Sequence, residues 1–168
     1  MNLTDDTIWI DAETKVEDSP DDHRTELRLW LRLLTCTTLI ESEIRRRLRD
    51  EFDFTLPRFD VLAQLDKAPD GLVLGEVSKR LMVSAGNITA IAERLIQDGF
   101  ITRSPSVQDR RVQIIRMTPE GRRKFRRMAK KHGDWVAEFF HDVPRPALDE
   151  LMQRLGTLKM SVRGATKK

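Results

Sequence analysis

Between Leu74 and Met117 the chain runs through two short apolar-periodic segments divided by a tight break, then two β-branched runs on either side of a charged tip. Gly75 to Leu81 sets Val77 and Leu81 four apart, with Lys79 and Arg80 turned elsewhere, which predicts a short helix. Ser84 then caps a second helix in SAGNITAIAERLIQDG, where Ile88, Ile91, Leu95 and Ile96 form the buried stripe and Gly99 is the stop. Phe100–Ser104 and Val112–Met117 have the content of strands, so the segment ends in a two-stranded ribbon. Residues 105 to 111 are the solvated loop between them.

The faces left outside suggest a partner. Ser84, Ala85, Gly86, Asn87, Thr89, Ala90 and Arg94 remain for the outer surface of the second helix, and all but the arginine are small or short and polar. A helix approaches base edges only if its N-terminal turn is slim. Asn87 is suited to pairing with adenine, and Arg94 to a guanine or a phosphate. At the ribbon tip, Asp109-Arg110-Arg111 has a mechanical reading. An arginine entering the minor groove gains from its negative potential, and a carboxylate two positions away can hold the guanidinium in place. A helix pair followed by an arginine-bearing ribbon therefore points to double-stranded DNA.

Charge agrees with this. The 168 residues carry a net +3, but the first 18 hold six carboxylates against Lys15, net −5, which leaves +8 on the rest. A basic body favours polyanions, although charge alone does not choose among DNA, RNA and membrane. Residues 1–18 are expected to be an acidic, disordered tail despite Ile8, Trp9 and Ile10. Such a tail could cover the basic surface when DNA is absent. Residues 19–168 read as one domain, with 39% hydrophobic and 34% charged residues suiting a mainly α protein. No apolar run approaches the roughly 20 residues of a membrane span, so no membrane partner is expected. With no secretion signal at the start, the cytoplasm is the default location.

The flanks are helical. Ser19-Pro20-Asp21-Asp22 looks like a helix start, and no glycine or proline interrupts the chain to about Glu51. Leu29, Leu33, Cys36, Ile40, Ile44 and Leu48 form one strip, while Leu27, Trp30, Leu31 and Leu34 form a second. A helix with two apolar faces requires two packing partners, and the second could be another subunit. Thr55 and Pro57 open a helix through Leu65, with Phe59, Leu62 and Ala63 inward, stopped by Ala68-Pro69-Asp70-Gly71. Thr118-Pro119-Glu120 opens a long helix to about Phe140, and Pro144 and Pro146 precede a last one carrying Leu148, Leu151, Leu155, Leu158 and Met160. The ending GATKK is expected to fray. Two basic runs, Arg45-Arg46-Arg47 with Arg49 and the segment from Arg122 to Lys131, read equally as solvated faces or as phosphate contacts.

Little here suits catalysis. One cysteine excludes an internal disulfide and a cysteine-rich zinc site, and Cys36 reads as a small core residue on its apolar strip. His23, His132 and His141 are scattered, with neither a metal-ligand cluster nor a triad. No nucleophile elbow or glycine-rich phosphate loop is present, so neither catalytic residues nor a cofactor are expected.

With this order of elements in hand, GEVSKRLMVSAGNITAIAERLIQDGFITR, the DRR tip and MTPEGRR together make the chain similar to MarR-family transcriptional regulators over roughly residues 24–160. The resemblance implies a mainly α, winged helix-turn-helix fold with an interlocked helical dimerisation region. Helices at about 20–52 and 119–163 would join two subunits, and about 56–117 would bind DNA. Ser84 to Arg94 would be the recognition helix and Asp109 and Arg111 the wing pair, beside Arg110. A homodimer of this kind implies a pseudo-palindromic operator with half-sites about 10 bp apart.

LWLRLLTCTTLIE, LPRFDVLAQLDKAPDG and HGDWVAEFF resemble family members tied to aromatic-acid catabolism. That implies a repressor released by an aromatic carboxylate or an aromatic acyl-coenzyme A, with Trp30, Leu34, Thr38, Phe59 and Leu62 lining the crevice and Arg28 or Arg46 meeting the anion. The thiol-sensing branch fits poorly, since the chain has no tyrosine and its cysteine lies mid-helix. A ligand-independent architectural DNA-binding protein of the same fold is the alternative.

Overall fold

The computed structural model describes residues 23–106, 109 and 111–166. The acidic tail, the Ser19 cap, Arg110 and the last two lysines lie outside these residues. Among the described residues six helices and three strands follow in the order α1 (Arg24–Phe52), α2 (Leu56–Asp66), β1 (Leu72–Val73), α3 (Leu74–Leu81), α4 (Ala85–Gln97), β2 (Ile101–Pro105), β3 (Gln113–Met117), α5 (Pro119–Phe139) and α6 (Arg145–Ala165). The chain divides into two compact units, with the boundary after Ala129 inside α5.

In the first unit α1 ends where Asp53 turns left-handed at φ 49°, and the Asp53 and Phe54 amides donate to Arg49 O and Leu48 O. Only Ile44 and Leu48 of this long helix are buried. The expectation of two buried strips therefore fails over its first half within the single chain: Leu27, Leu29, Trp30, Leu34 and Leu39 are exposed, and so is Cys36. Cys36 is therefore an exposed residue rather than a core one.

The short helix α2 is the centre of the unit, with Leu56, Phe59, Val61, Leu62 and Leu65 all buried. The turn after it closes at Gly71, whose φ of +88° and whose would-be Cβ, 2.6 Å from Ile115 O, both call for glycine. That close approach starts a strand the sequence reading missed. Leu72 pairs with Ile115 and Val73 with Ile114, so the ribbon is a three-stranded antiparallel sheet in the order β1-β3-β2. Two residues are too few to show a strand's alternation.

On α4 the buried residues are Ile88, Ala92 and Leu95. Ala92, where α4 packs against α2, α3 and β2, is buried in the place expected of Ile91; Ile91 and Ile96 are half-buried flanks. Thr118 Oγ1 accepts the Gly121 amide at 2.8 Å and donates to Gly99 O, while the Thr118 amide donates to Phe100 O. The start of α5 is thereby tied to the end of the α4 turn. Phe54 and Phe100 meet at 5.0 Å and Phe59 and Phe125 at 5.3 Å between ring centroids, completing the core.

In the second unit Trp135 is buried, and α6 starts after extended Pro144 with Pro146 inside its first turn rather than ahead of it. None of the residues of α6 is buried, and Leu151, Met152, Met160 and Val162 stand exposed. The helix continues through Gly164 and Ala165, where fraying was expected.

Candidate nucleic-acid interface

The turn between α3 and α4 is built by main-chain bonds. Met82 is left-handed at φ 53°, its amide donating to Lys79 O at 3.3 Å, and Val83 donates to Ser78 O at 3.1 Å. Ser78 Oγ returns a bond to Val83 O at 2.6 Å, clamping the turn from both sides. Ser84 then caps α4, its Oγ accepting the Asn87 amide at 3.4 Å.

Beyond this cap, Ser84, Ala85, Gly86, Asn87, Ala90 and Arg94 are exposed and Thr89 is half-buried, its hydroxyl donating to Ala85 O. The slim face therefore points to solvent. Glu93 and Gln97 share the exposed side farther along the helix, which the sequence reading did not include. A carboxylate at Glu93 limits close phosphate approach to the first two turns, where a groove-reading helix is expected to act.

The ribbon reaches outward by a second set of bonds. Ser106 donates to Val112 O at 2.8 Å and Val112 to Asp109 O at 2.9 Å. Asp109 Oδ1 accepts the backbone amide of Arg111 at 2.9 Å. This corrects the expectation that the carboxylate would grip the guanidinium. An aspartate closing a turn on the amide two residues on is the cheaper local solution, since it immobilises no long side chain. Arg103 on β2 is exposed as well, and among the described residues neither Arg103 nor Arg111 has an ion-pair partner. Arg116 instead turns to Ser104 Oγ at 2.8 Å.

Many other cations are already offset internally. In α1, Arg45 pairs with Glu41, Arg46 with Glu43 and Asp50, and Arg47 with Glu43. Hydrogen bonds from Arg46 and then Arg47 draw the Glu43 carboxyl down to about 2. In α5, Arg122 pairs with Asp66 at 2.8 Å, and Arg123 and Lys124 share Glu120. The basic runs are therefore partly self-neutralised helical faces, and the unpaired charge of the reading face rests on the ribbon.

The expected ligand residues are not gathered into one cavity of the single chain. Phe59 and Leu62 are 6% and 0% exposed within the core of the single chain. Arg28, Trp30, Leu34 and Thr38 lie on the bare half of α1, and Arg46 is about 27 Å from Arg28 along the helix. Two clefts lie elsewhere. One, of about 720 Å³, is bordered by Arg45, Thr55, Pro57, Arg58, Val83, Asn87, Ala90, Ile91 and Arg94. The other, of about 460 Å³, lies against Phe52, Phe54, Phe100, Lys124 and Arg127. Among the described residues no cluster of three metal-ligating side chains occurs, and no helix is long and apolar enough to cross a membrane.

Residues 54–112 match the model of the MarR family. The transcriptional activatory protein BadR of Rhodopseudomonas palustris is 27% identical over 157 residues, covering 88% of this chain and 89% of its own. A MarR family transcriptional regulator from Silicibacter pomeroyi superposes with a TM-score of 0.73 at 29% identity, over 85% of this chain and 99% of that one. FabT of Streptococcus pneumoniae, solved in complex with DNA, shares the fold at a TM-score of 0.70 and 24% identity, over 83% and 99%.

Proposed function

The chain belongs to the MarR family of DNA-binding transcriptional regulators, and from that premise we propose that it acts as a homodimeric, ligand-relieved repressor at a pseudo-palindromic operator. The observation that carries the reading is the slim, exposed start of α4 beside a ribbon whose Arg103 and Arg111 side chains have no ion-pair partner among the described residues. Ser84, Ala85, Asn87, Thr89 and Arg94 would enter the major groove, and Arg111, presented by Asp109 and next to Arg110, the minor groove.

Dimerisation explains the bare apolar surfaces. Leu27, Leu29, Trp30, Leu34 and Leu39 on α1, with Leu151, Met152, Met160 and Val162 on α6, would interlock with the same residues of a second subunit. Burial there contributes roughly 25 cal/mol for each Å² of apolar surface, set against the entropy of association. Two α4 helices would then sit about one helical turn apart, or ~10 bp.

Arg28, Trp30, Leu34 and Thr38 lie on that same half of α1, so a crevice they line closes only when a partner covers it. An aromatic carboxylate or its coenzyme A thioester is the proposed effector. By preferring a dimer with differently spaced reading helices, it would lower DNA affinity by its differential binding free energy, where about 1–3 kcal/mol gives a 5- to 150-fold response. The name of BadR records activation in that relative. Operator position relative to the promoter would set the sign here.

The test is binding to the protein's own upstream DNA, with and without aromatic acids and their coenzyme A thioesters. Sequence-selective binding relieved by one of these is the expected result. Binding without sequence preference or release would favour an architectural protein of the same fold.

A further inference from the structure

The carboxylate of Asp98 is shared by two arginines. Its Oδ2 accepts a hydrogen bond from Arg58 Nη2 and lies 3.4 Å from Arg94 Nε. The two guanidinium groups live in different surroundings. Arg58 keeps 12% of its side-chain surface and lies 4.1 Å over the ring of Phe54, with the ring of Phe100 at 5.7 Å, while Arg94 keeps 63%. Both rings belong to the core. Asp98 is held further by its own backbone, its amide donating to Arg94 O at 3.0 Å where α4 ends. A line of constraint therefore runs from the aromatic core through Arg58 and Asp98 to an exposed arginine on the reading helix.

Such an arrangement affects DNA binding in two opposite ways. A carboxylate beside Arg94 weakens its uniform attraction to phosphate, which governs nonspecific binding. The same carboxylate restricts a long side chain that would otherwise lose its freedom on binding, which favours the one geometry that reads a site. Both effects raise the ratio of specific to nonspecific affinity. We propose that Asp98, anchored by Arg58, is a positioning residue that aims Arg94 at its DNA partner and sets this ratio. The inference rests on the reading that Arg94 contacts DNA.

The experiment uses the full-length protein, a duplex that the wild type selects from a random pool, and a scrambled duplex of the same composition at matched salt. Asp98→Asn retains an oxygen for Arg58 and removes the charge. It is expected to weaken binding to the selected duplex, strengthen binding to the scrambled one, and lower their ratio by about five- to tenfold. In an Arg94→Ala background, Asp98→Asn should change the ratio no further.

Asp98 is the one hydrogen-bond partner of the Arg58 guanidinium among the described residues, so its loss could harm folding. Arg58→Met with Asp98→Asn removes the buried cation and its partner together. All variants are compared well below their measured melting temperatures, and the double variant should reproduce the lowered ratio. If Arg94→Ala leaves the ratio unchanged, Arg94 does not read DNA and both readings fall. If Arg94→Ala lowers the ratio while Asp98→Asn does not, or if the two effects simply add, only the positioning role falls.

Discussion

Asp109 holds Arg111 by its main chain, accepting the arginine's backbone amide at 2.9 Å and leaving the guanidinium without an ion-pair partner among the described residues. The aspartate shapes the tip and the arginine is left for DNA. Arg111→Ala should weaken operator binding roughly tenfold and reduce the salt slope by about one, with the fold intact. Asp109→Asn keeps the acceptor and should bind within about twofold of wild type, whereas Asp109→Ala should loosen the tip and bind less well. Equal losses from both Asp109 substitutions, measured at one salt concentration, would mean that charge rather than turn geometry matters there.

Gly121 sits where the first turn of α5 meets the backbone of Phe100. A Cβ at this position would lie 2.1 Å from the Phe100 carbonyl oxygen, and that oxygen is itself held by the Thr118 amide. Gly121→Ala should therefore cost about 2–4 kcal/mol, as strain that only a shift of the helix start relieves. Urea unfolding measures it, and a midpoint like that of the wild type would count against this close approach.

Burial holds the Asp60 carboxyl above its ordinary value of 3.8, with Arg45 opposing the shift and Glu41 adding to it. An acid whose pKa is raised by folding disfavours the folded state once the pH exceeds the unfolded value, and the penalty disappears below it. Asp60→Asn is thus expected to raise the melting temperature by about 1–3 °C at pH 7. That gain should shrink to nothing as the pH falls through 3.8. A constant difference across this range would assign the effect to packing.

Trp30 and Leu34 are 57% and 45% exposed in the single chain, so a charge placed on either costs the subunit little packing of its own. If this half of α1 joins two subunits, Leu34→Glu should give a folded monomer near 19.5 kDa by sedimentation, with operator binding lost. A persistent dimer would place the interface elsewhere.

Much of this molecule was legible along the chain. Ser84 and Thr118 as caps, Gly71 and Gly99 as stops, and the slim start of α4 all act within a few residues of themselves. A capping oxygen reaches an amide three positions on whatever else the protein does. The arrangement of α3, α4 and the ribbon follows from such signals together with the alternation of apolar residues.

Contacts between distant segments settled the remainder. Strand β1 exists because Leu72 meets Ile115, and Ala92 rather than Ile91 is buried where α4 packs against α2, α3 and β2. The pairing of Arg58 with Asp98 spans 40 positions and has no periodic signature. Cys36 and the apolar residues near it carry the pattern of a buried helix, yet Cys36, Leu27, Leu29, Trp30, Leu34 and Leu39 are exposed in the single chain. Periodicity states that a face is apolar. What covers that face depends on where remote segments, or a second subunit, come to lie, and no local propensity encodes that position.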